Sequence, residues 1–240
     1  MTIAGKAVLV TGANRGIGQA LVAEALRRDA GRVYVATRQP MTHPDGRVTP
    51  ITMDLTDRRQ IARAVEHVAS LDMLINNAGL ALYDDLSDRT SIELHLAVNL
   101  FGTFDVIQAF LPMLQRSQGT IVNNLSVNAL APLPLIPAYS ISKAAAFNMT
   151  QSLRILLAPR GVRVHAVLTG PVDTDMTKGL EIPKATTASV AGAIFDGVEL
   201  GQSEIFPDAM SRTLAQSWHT GTAKTLEHRY SALLDAATTR

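Results

Sequence analysis

Short apolar runs rich in β-branched residues alternate along the chain with longer stretches whose apolar residues recur at helical spacing. In the stretch IGQALVAEALRR, Ile17, Leu21 and Ala25 fall on one helical face, and Ile61 and Val65 do so in RRQIARAVEHVA. Seven runs are predicted to be strands: residues 7–10, 32–36, 48–53, 73–75, 120–124, 162–167 and 204–206.

Short apolar strands between amphipathic helices are typical of a parallel sheet, because parallel strands need crossover connections and helices supply them. The pattern predicts a doubly wound α/β fold with about seven parallel strands and helices on both faces. One crossover differs, since residues 38–47 read RQPMTHPDGR and a loop is expected there. We predict a single domain over residues 1–240, with a helical C-terminal tail over residues 208–240.

Composition narrows the class of protein. The 240 residues are 47% hydrophobic and 18% charged, and 22 basic residues nearly balance 21 acidic ones. No basic block is present, so nucleic acid and anionic membrane surfaces are not expected as partners. The chain lacks cysteine, which excludes disulfides and thiolate metal sites and fits a reducing cytoplasm. The histidines show no metal-ligand spacing, so no metal site is expected.

No membrane segment is expected either. The apolar run at the N-terminus is too short for a signal peptide. The apolar stretch ALAPLPLIPA, residues 129–138, contains three prolines and is about half as long as a membrane helix. We therefore expect a cytoplasmic protein that acts on small molecules.

The first predicted strand leads into TGANRGIG, residues 11–18, which opens the first helix. Glycines in such a turn allow a tight bend, close approach of a ligand, and close packing of the helix on the strand. The helix N-terminus then presents N–H groups and a partial positive charge to a pyrophosphate. An ordinary strand-to-helix turn is the alternative. A dinucleotide would contact Gly12, Asn14, Arg15, Gly16, Ile17 and Gly18.

The end of the second strand indicates which dinucleotide is expected. NAD sites place a carboxylate there for the ribose 2'-hydroxyl, whereas NADP sites offer cations to the 2'-phosphate. Here Thr37 and Arg38 follow the strand, with no acid, and Arg15 lies in the glycine turn. Two guanidinium groups on one phosphate would form several charge-assisted hydrogen bonds, which favours NADP(H). In the alternative reading both arginines face water.

Two further segments are expected near the cofactor. Asp54, in MDLTD, is a candidate partner for the adenine amino group, with Leu55 packing nearby. A helix N-cap is the alternative role, which Thr56 or Asp57 would serve equally well. NNAG, residues 76–79, follows the fourth strand and is expected to stabilise the sheet edge first and to face the cofactor second. Its candidate residues are Asn77, Ala78 and Gly79.

AYSISKAAAF, residues 138–147, sets Tyr139 and Lys143 four residues apart on one predicted helix. Residues at this spacing share a helical face. A lysine ammonium beside a phenol favours the phenolate, and lowering a tyrosine pKa from about 10 toward 7 corresponds to roughly 4 kcal/mol. The pair would make Tyr139 a proton donor and acceptor near neutral pH. An exposed Tyr–Lys pair is the alternative.

Ser126 ends the fifth strand, at the sheet edge where open α/β folds bind ligands. The motifs TGANRGIG, NNAG, AVNLFGT with Asn99, Ser126 and YSISK follow one another in order along residues 6–206. In this set the chain resembles the short-chain dehydrogenase/reductase family, which implies a Rossmann-type domain that binds a nicotinamide dinucleotide.

The resemblance implies a role for each of four residues. Tyr139 would protonate the carbonyl oxygen during reduction and act as the base in the reverse direction. Ser126 would hold that oxygen, Lys143 would bind the nicotinamide ribose and bias the tyrosine, and Asn99 would anchor a water that relays protons. Such roles are chemically reasonable, because hydride transfer to a carbonyl builds an alkoxide that donors must meet.

The chain departs from the family after the sixth strand. The usual Pro-Gly is replaced by Thr169-Gly170, and the proline is displaced to position 171. The following segment, which usually closes over substrate, is short, so an open pocket is expected. The resemblance still implies nicotinamide contacts from Gly170, Val172 and Thr174.

The candidate pocket residues are mostly apolar and include no cation to pair with a substrate carboxylate or phosphate. A neutral, hydrophobic ketone or aldehyde, or the corresponding alcohol, is therefore the expected substrate. In the alternative reading several of the leucines are core or subunit contacts. The candidates are Tyr83, Asn128, Leu130, Leu133, Leu135, Pro171, Leu180 and Ile182.

The predicted activity is NADP(H)-dependent interconversion of a carbonyl compound and its alcohol. Two alternatives stay open: an epimerase or dehydratase that uses the cofactor transiently, and an NADP-binding regulatory protein without turnover. The resemblance also implies a homodimer or homotetramer. In the tail, one helical face is expected to pack on the core or on a second subunit; it carries Leu226, Tyr230, Leu233 and Leu234.

Overall fold

The computed structural model describes residues 2–238, with side chains through Ser231. Seven parallel strands form one sheet in the order β3-β2-β1-β4-β5-β6-β7. Every predicted strand is confirmed, and its bounds shift by one residue at most. The strands are β1 (Ala7–Thr11), β2 (Arg32–Thr37), β3 (Val48–Thr52), β4 (Met73–Asn76), β5 (Thr120–Asn124), β6 (Arg163–Val167) and β7 (Glu204–Ile205).

Helices connect the strands, as a parallel sheet requires. The connection from β2 to β3 contains no helix among its described residues, which confirms the predicted loop. The α-helices are α1 (Gly16–Arg27), α2 (Arg58–Glu66), α3 (Arg89–Leu96), α4 (Thr103–Ser117), α5 (Pro137–Leu157), α6 (Thr187–Glu199), α7 (Ala209–Thr220) and α8 (Thr222–Thr238).

The core lies on both faces of the sheet, because successive strand residues point to opposite faces. Val8 and Val10 of β1 pack on the side covered by α1 and α6. Leu9 points to the other side, which α2, α4 and α5 cover. Strands buried on both faces must be apolar at nearly every position, which explains the continuous apolar runs in the sequence.

One continuous helical stretch, Arg89–Ser117, comprises α3, a π-helical turn (Ala97–Gly102) and α4. By length and composition alone it is apolar enough to cross a membrane, with a mean hydropathy of 1.4 in its most apolar window. In the fold, 44% of that window is buried, and residues such as Phe110 and Leu114 are fully covered by the sheet and its neighbours. Packing on the sheet accounts for the apolar composition.

The C-terminal helix α8 attaches to the core through charged residues. Lys224 Nζ lies 2.8 Å from Glu204 and 2.9 Å from Glu227, and the Arg154 guanidinium lies 2.6 Å from both carboxylates. Burial raises the pKa of Glu204, but the two cations outweigh burial and hold that pKa below its ordinary value. This buried cluster ties α5, β7 and α8 together.

The apolar face predicted for the tail does not pack on this core. Leu226 and Tyr230 of α8 are exposed, so these two residues do not pack on the core, and packing on a second subunit stays a prediction. The side chains of Leu233 and Leu234 lie outside the described residues. Charge pairing replaces the predicted apolar packing because Lys224 and Glu227, on the inner side of α8, meet the buried Glu204.

Candidate active site

The glycine turn between β1 and α1 is shaped by close backbone approach. Gly12 and Gly16 have φ values of +64° and +55°, a region that favours glycine. A Cβ atom on Gly18 would lie 2.1 Å from the carbonyl oxygen of Gly12, so only glycine fits there. Helix α1 begins at Gly16, and the preceding Arg15 makes no side-chain capping bond. These features fit a pyrophosphate at the helix N-terminus.

A chain of side-chain amides crosses the carboxyl edge of the four central strands. The Thr169 hydroxyl donates to Asn124 Oδ1 at 2.7 Å, and Asn124 Nδ2 donates to Asn77 Oδ1 at 2.9 Å. Asn77 Nδ2 then donates to the carbonyl oxygens of Thr11 and Gly12, at 3.0 and 3.2 Å. We call these five residues the amide chain. It joins the ends of β6, β5, β4 and β1 and holds the glycine turn in place.

The NNAG segment acts structurally through this chain. The backbone N–H groups of Asn77 and Ala78 both donate to the Thr11 hydroxyl at 3.0 Å. A Cβ atom on Gly12 would lie 2.8 Å from the Cα of Ala78, so the segment and the turn are in tight contact. These contacts confirm that NNAG stabilises the sheet edge.

Ser126, Tyr139 and Lys143 come together beside the amide chain. Tyr139 and Lys143 lie on one buried face of α5, so the alternative of an exposed pair is excluded. The Ser126 hydroxyl lies close enough to the Tyr139 phenol to lower its pKa, in opposition to the larger effect of burial. Lys143 Nζ donates to the carbonyl oxygen of Asn124 at 3.0 Å and lies 5.5 Å from the centre of the tyrosine ring.

The sequence analysis predicted that Lys143 lowers the pKa of Tyr139, and this prediction is wrong for this structure. Burial raises the pKa of Tyr139 to about 12, and the Ser126 hydroxyl opposes the rise without cancelling it. Burial also lowers the pKa of Lys143 to about 8. The physical reason is that the ammonium is bonded to a backbone carbonyl and faces the ring, while both groups have lost their contact with water.

Asn99 lies in the π-helical turn between α3 and α4, an interruption that often marks functional sites. Its side chain accepts from Leu80 N–H and donates to Leu80 C=O, both at 2.8 Å. The amide also donates to Ser142 Oγ at 2.9 Å. Asn99 therefore ties the segment after β4 to α5, and its water-anchoring role stays a prediction.

His95 is a site residue that the sequence analysis missed. It is fully buried, and its ring packs edge-on against the Tyr139 ring at 6.4 Å between centroids. The Leu82 N–H donates to Nε2 at 3.0 Å, so we assign the ring proton to Nδ1, which lies 2.6 Å from Ser91 C=O. The available signal was spacing, since His95 precedes Asn99 by one helical turn.

The two arginines predicted to bind a 2'-phosphate are both exposed. The Arg15 guanidinium forms an ion pair, at 2.9 Å, with the carboxylate of Asp175, which lies in the segment after β6. Arg38 follows β2 at the open edge of the site, and the preceding Thr37 is buried with its hydroxyl on Gln39 C=O. An exposed ion pair is worth about 0–1 kcal/mol, so Arg15 is available to a stronger anion.

The adenine-side candidates have local structural partners. The Asp54 carboxylate accepts from the backbone and hydroxyl of Thr56, at 2.8 and 2.7 Å. Asp57, not Asp54, caps α2. Leu55 is buried, and a Cβ atom on Gly102 would lie 2.8 Å from it, so Leu55 packs closely on the π-helical turn.

The segment after β6 is anchored by Asp208, another residue that the sequence analysis missed. Its buried carboxylate accepts from Gly170 N–H at 2.7 Å and from Ser211 N–H at 2.9 Å, where it caps α7. Val172 is buried and forms an isolated parallel β-bridge with Ala185. Thr174 lies over the glycine turn, 3.2 Å from where a Cβ on Gly16 would be.

A cavity of about 350 Å³ lies between the residues that follow Ser126 in the chain and helix α7, and its lining does not include Ser126, Tyr139 or Lys143. Asn128 and Leu130 are the predicted pocket residues that line it. Tyr83, Leu133, Leu135, Pro171, Leu180 and Ile182 lie outside its lining, and Tyr83 is 69% exposed. Helix α7 supplies the wall that the sequence analysis missed. The lining residues are Val127, Asn128, Leu130, Ala131, Met210, Leu214, Ser217 and Trp218.

Removing one donor from the amide chain should destabilise the protein. Thr169→Val leaves Asn124 Oδ1 buried without its donor, which should lower the free energy of unfolding by about 1–3 kcal/mol in urea denaturation. Thr169→Ser keeps the hydroxyl and is the matched control. Equal losses in both variants would mean that the hydrogen bond is not the source.

Buried Lys143 should make the stability of the cofactor-free protein rise with pH. Its pKa falls from 10.5 to about 8 on folding, so between these values the unfolded chain binds more protons and the free energy of unfolding increases. Relative to Lys143→Met, the wild type should gain on the order of 2 kcal/mol between about pH 7 and about pH 9.5 in chemical denaturation. If the free energies of unfolding of the two proteins changed with pH in parallel, the lowered pKa of the buried Lys143 amine would be contradicted.

Comparisons with known proteins match this geometry. The model of the short chain dehydrogenase family matches residues 6–184. The chain is 32% identical over 227 residues to an 11-beta-hydroxysteroid dehydrogenase-like protein of Arabidopsis thaliana, covering 85% of this chain and 73% of that protein. It is 31% identical to an uncharacterized oxidoreductase of Staphylococcus epidermidis, over 79% of this chain and 89% of the relative.

Two solved structures share this fold and part of this sequence. A short chain dehydrogenase from Burkholderia cenocepacia in complex with NADP is 36% identical, with a TM-score of 0.87 over 95% of this chain and 98% of that one. ElxO with NADP bound is 25% identical, with a TM-score of 0.73 over 80% of this chain and 90% of that one. The glycine turn, the edge serine and the Tyr–Lys helix face thus occur on a fold and a sequence shared with this family. The chain belongs to the short chain dehydrogenase family and is an oxidoreductase of that family.

Proposed function

We propose that this protein uses NADP(H) to interconvert a neutral, hydrophobic ketone or aldehyde and the corresponding alcohol. The observation that carries the proposal is that the hydroxyl groups of Ser126 and Tyr139 lie next to each other, beside the buried Lys143 at the carboxyl edge of the sheet. Two adjacent hydroxyl groups suit a carbonyl oxygen that gains negative charge during reduction.

The state of Tyr139 supports its role as the acid. Burial keeps its pKa at about 12, so the phenol holds its proton at neutral pH and has one to donate. NADPH, when bound, would supply a hydride to the carbonyl carbon, and Tyr139 would supply the proton to the oxygen, which together give the alcohol. Ser126 orients the oxygen, and Lys143, beside the tyrosine ring, is the proposed partner of the nicotinamide ribose.

The cofactor site fits NADP(H). The uncapped start of α1 suits the pyrophosphate, and exposed Arg15 and Arg38 suit the 2'-phosphate. Two related structures, at 36% and 25% identity, hold NADP. Gly170, Val172 and Thr174 are proposed nicotinamide contacts, because Asp208 and the glycine turn hold that segment beside the site.

We further propose a cytoplasmic homodimer or homotetramer. Exposed apolar side chains on the α3–α4 stretch and on α5 support self-association, among them Phe101, Phe104, Ile141 and Leu156. Light scattering on the purified protein measures the assembly directly, and a monomer would refute this part of the proposal.

Replacing Tyr139 with Phe should abolish ketone reduction while NADPH still binds. Loss of a general acid should lower kcat by about a hundredfold to ten-thousandfold. Tyr230→Phe removes a hydroxyl from an exposed tyrosine and is the matched control. The measurements are NADPH oxidation with a panel of ketones and NADPH binding by fluorescence. Turnover by Tyr139→Phe at the wild-type rate would show that Tyr139 is not the general acid.

The same assay separates the alternatives. A reductase consumes NADPH in proportion to the ketone converted, whereas an epimerase or dehydratase regenerates the cofactor and a regulatory protein leaves it unchanged. A panel that pairs neutral ketones with charged oxo acids tests the substrate class. Preference for the charged set would refute the hydrophobic pocket.

Removing either of the two arginines predicted to bind the 2'-phosphate should weaken the binding of NADPH and leave that of NADH unchanged. Arg15→Ala and Arg38→Ala should each raise the KM for NADPH by about tenfold or more, because a hydrogen bond to a charged group is worth about 1.5–3 kcal/mol. The KM for NADH should stay unchanged. Arg89→Ala, which removes an exposed arginine of α3, is the control. Equal efficiency of the wild type with NADH would overturn the cofactor preference.

A further inference from the structure

We infer that His95 is a positioning residue for Tyr139, and that its buried ring is the support against which the phenol ring rests. The inference rests on the proposed function, because it concerns the general acid of that reaction. In this role His95 acts through Tyr139 and transfers no proton itself.

The two rings are in direct contact. His95 and Tyr139 are both buried, their ring centroids lie 6.4 Å apart, and their planes make an angle of 74°. This edge-to-face arrangement is favourable, because the positive edge of one ring meets the negative face of the other. Lys143 Nζ also lies near the tyrosine ring, 5.5 Å from its centre. The phenol ring is therefore bordered by His95 of α3 as well as by a residue of its own helix.

Hydrogen bonds hold the imidazole of His95 in one orientation. Its Nδ1 lies 2.6 Å from the carbonyl oxygen of Ser91, one helical turn earlier. Its Nε2 accepts from the backbone N–H of Leu82 at 3.0 Å. Both ring nitrogens are thus engaged, and rotation of the imidazole would break these bonds. His95 offers Tyr139 a surface that is itself fixed.

The segment that bonds His95 runs beside the site. It begins at Gly79, where a Cβ atom would lie 3.6 Å from Lys143 Nζ. Leu80 is held by the Asn99 side chain through its N–H and its C=O, and Leu82 is held by His95. Asn99 and His95 lie one helical turn apart, in the reverse order, so the segment runs antiparallel to the helical stretch.

The same segment fixes the start of the helix that carries Tyr139. The Asp84 carboxylate accepts from the backbone N–H of Ala138, at 3.2 and 3.3 Å. Ile136, the N-cap residue of α5, makes no side-chain capping bond, so Asp84 satisfies this N–H from outside the helix. His95 thus borders the ring of Tyr139 and holds the segment that anchors its backbone.

The reaction needs such support. A general acid must lie within hydrogen-bond reach, roughly 2.6–3.2 Å, of the oxygen that it protonates. The Tyr139 phenol stands at the end of a side chain with two rotatable bonds, so the backbone of α5 does not set its place alone. A displacement of about 1 Å can lower a rate by about a hundredfold.

Three variants separate the ring of His95 from its hydrogen bonds. His95→Leu removes both, His95→Phe keeps a ring, and His95→Gln keeps an acceptor without a ring. His95→Leu and His95→Gln should lower kcat for ketone reduction by about tenfold to a hundredfold, because the phenol loses its support. His95→Phe should restore most of that loss. The KM for NADPH should stay unchanged in all three, because other residues are proposed to bind the cofactor.

The comparison of His95→Leu with His95→Phe distinguishes positioning from a merely structural role. Both variants lose the acceptor for Leu82, so a structural role would lower the free energy of unfolding in both without separating their kcat values. His67→Leu, at an exposed histidine that ends α2, is the matched control and should leave kcat unchanged. Wild-type kcat in His95→Leu, or equal losses in His95→Leu and His95→Phe, would overturn the inference.

A spectroscopic measurement distinguishes failure of the inference from failure of the proposed function. Tyrosine labelled with ¹³C at the carbon that bears the hydroxyl gives one NMR resonance for each of the four tyrosines, and Tyr139→Phe identifies that of Tyr139. This resonance should be single and narrow in the wild type and in His95→Phe. In His95→Leu it should broaden or split, because the ring takes more than one position. If no carbonyl compound is reduced, the proposed function fails and this spectrum alone decides the inference. A single narrow resonance in His95→Leu would overturn it.

Discussion

The hydrogen bonds of the amide chain are the interaction on which the site depends. Each amide donates through its nitrogen and accepts through its oxygen, so the orientation of Thr169 determines that of Asn124, and Asn124 determines that of Asn77. Asn77 then holds the carbonyl oxygens of the glycine turn. Because the same Asn124 offers its backbone oxygen to Lys143, the cofactor turn and the proton-handling lysine share one anchor.

The amide chain also explains why the sequence after β6 departs from the usual Pro-Gly of the family. Thr169 stands where the family usually has proline, and its hydroxyl supplies the donor at one end of the amide chain. Gly170 is required for a different reason, because a Cβ atom there would lie 2.5 Å from the Asp208 carboxylate. The altered sequence is thus matched to partners on β5 and at the start of α7, and these two contacts hold the local backbone.

Burial governs the chemistry of the proton-handling residues more than their pairing does. The spacing of Tyr139 and Lys143 correctly placed them on one helical face, but the expected fall in the tyrosine pKa does not occur. Removing both groups from water penalises the phenolate and the ammonium alike, so their pKa values move to about 12 and about 8. A phenol that keeps its proton suits the acid of a reduction.

The sequence by itself determined the seven strands, the missing crossover helix, the glycine turn and the joint position of Ser126, Tyr139 and Lys143. The strands, the glycine turn and the shared helical face of Tyr139 and Lys143 follow from alternation, helical spacing and the steric needs of glycine, all of which act over a few residues. The position of Ser126 beside them was implied by the family resemblance. Only the tertiary structure decided the pKa shifts, the roles of His95 and Asp208, the charged attachment of α8 and the contribution of α7 to the cavity lining. Each of these depends on burial or on contacts between residues far apart in the chain, as between Asp208 and Gly170, and no local pattern records such contacts.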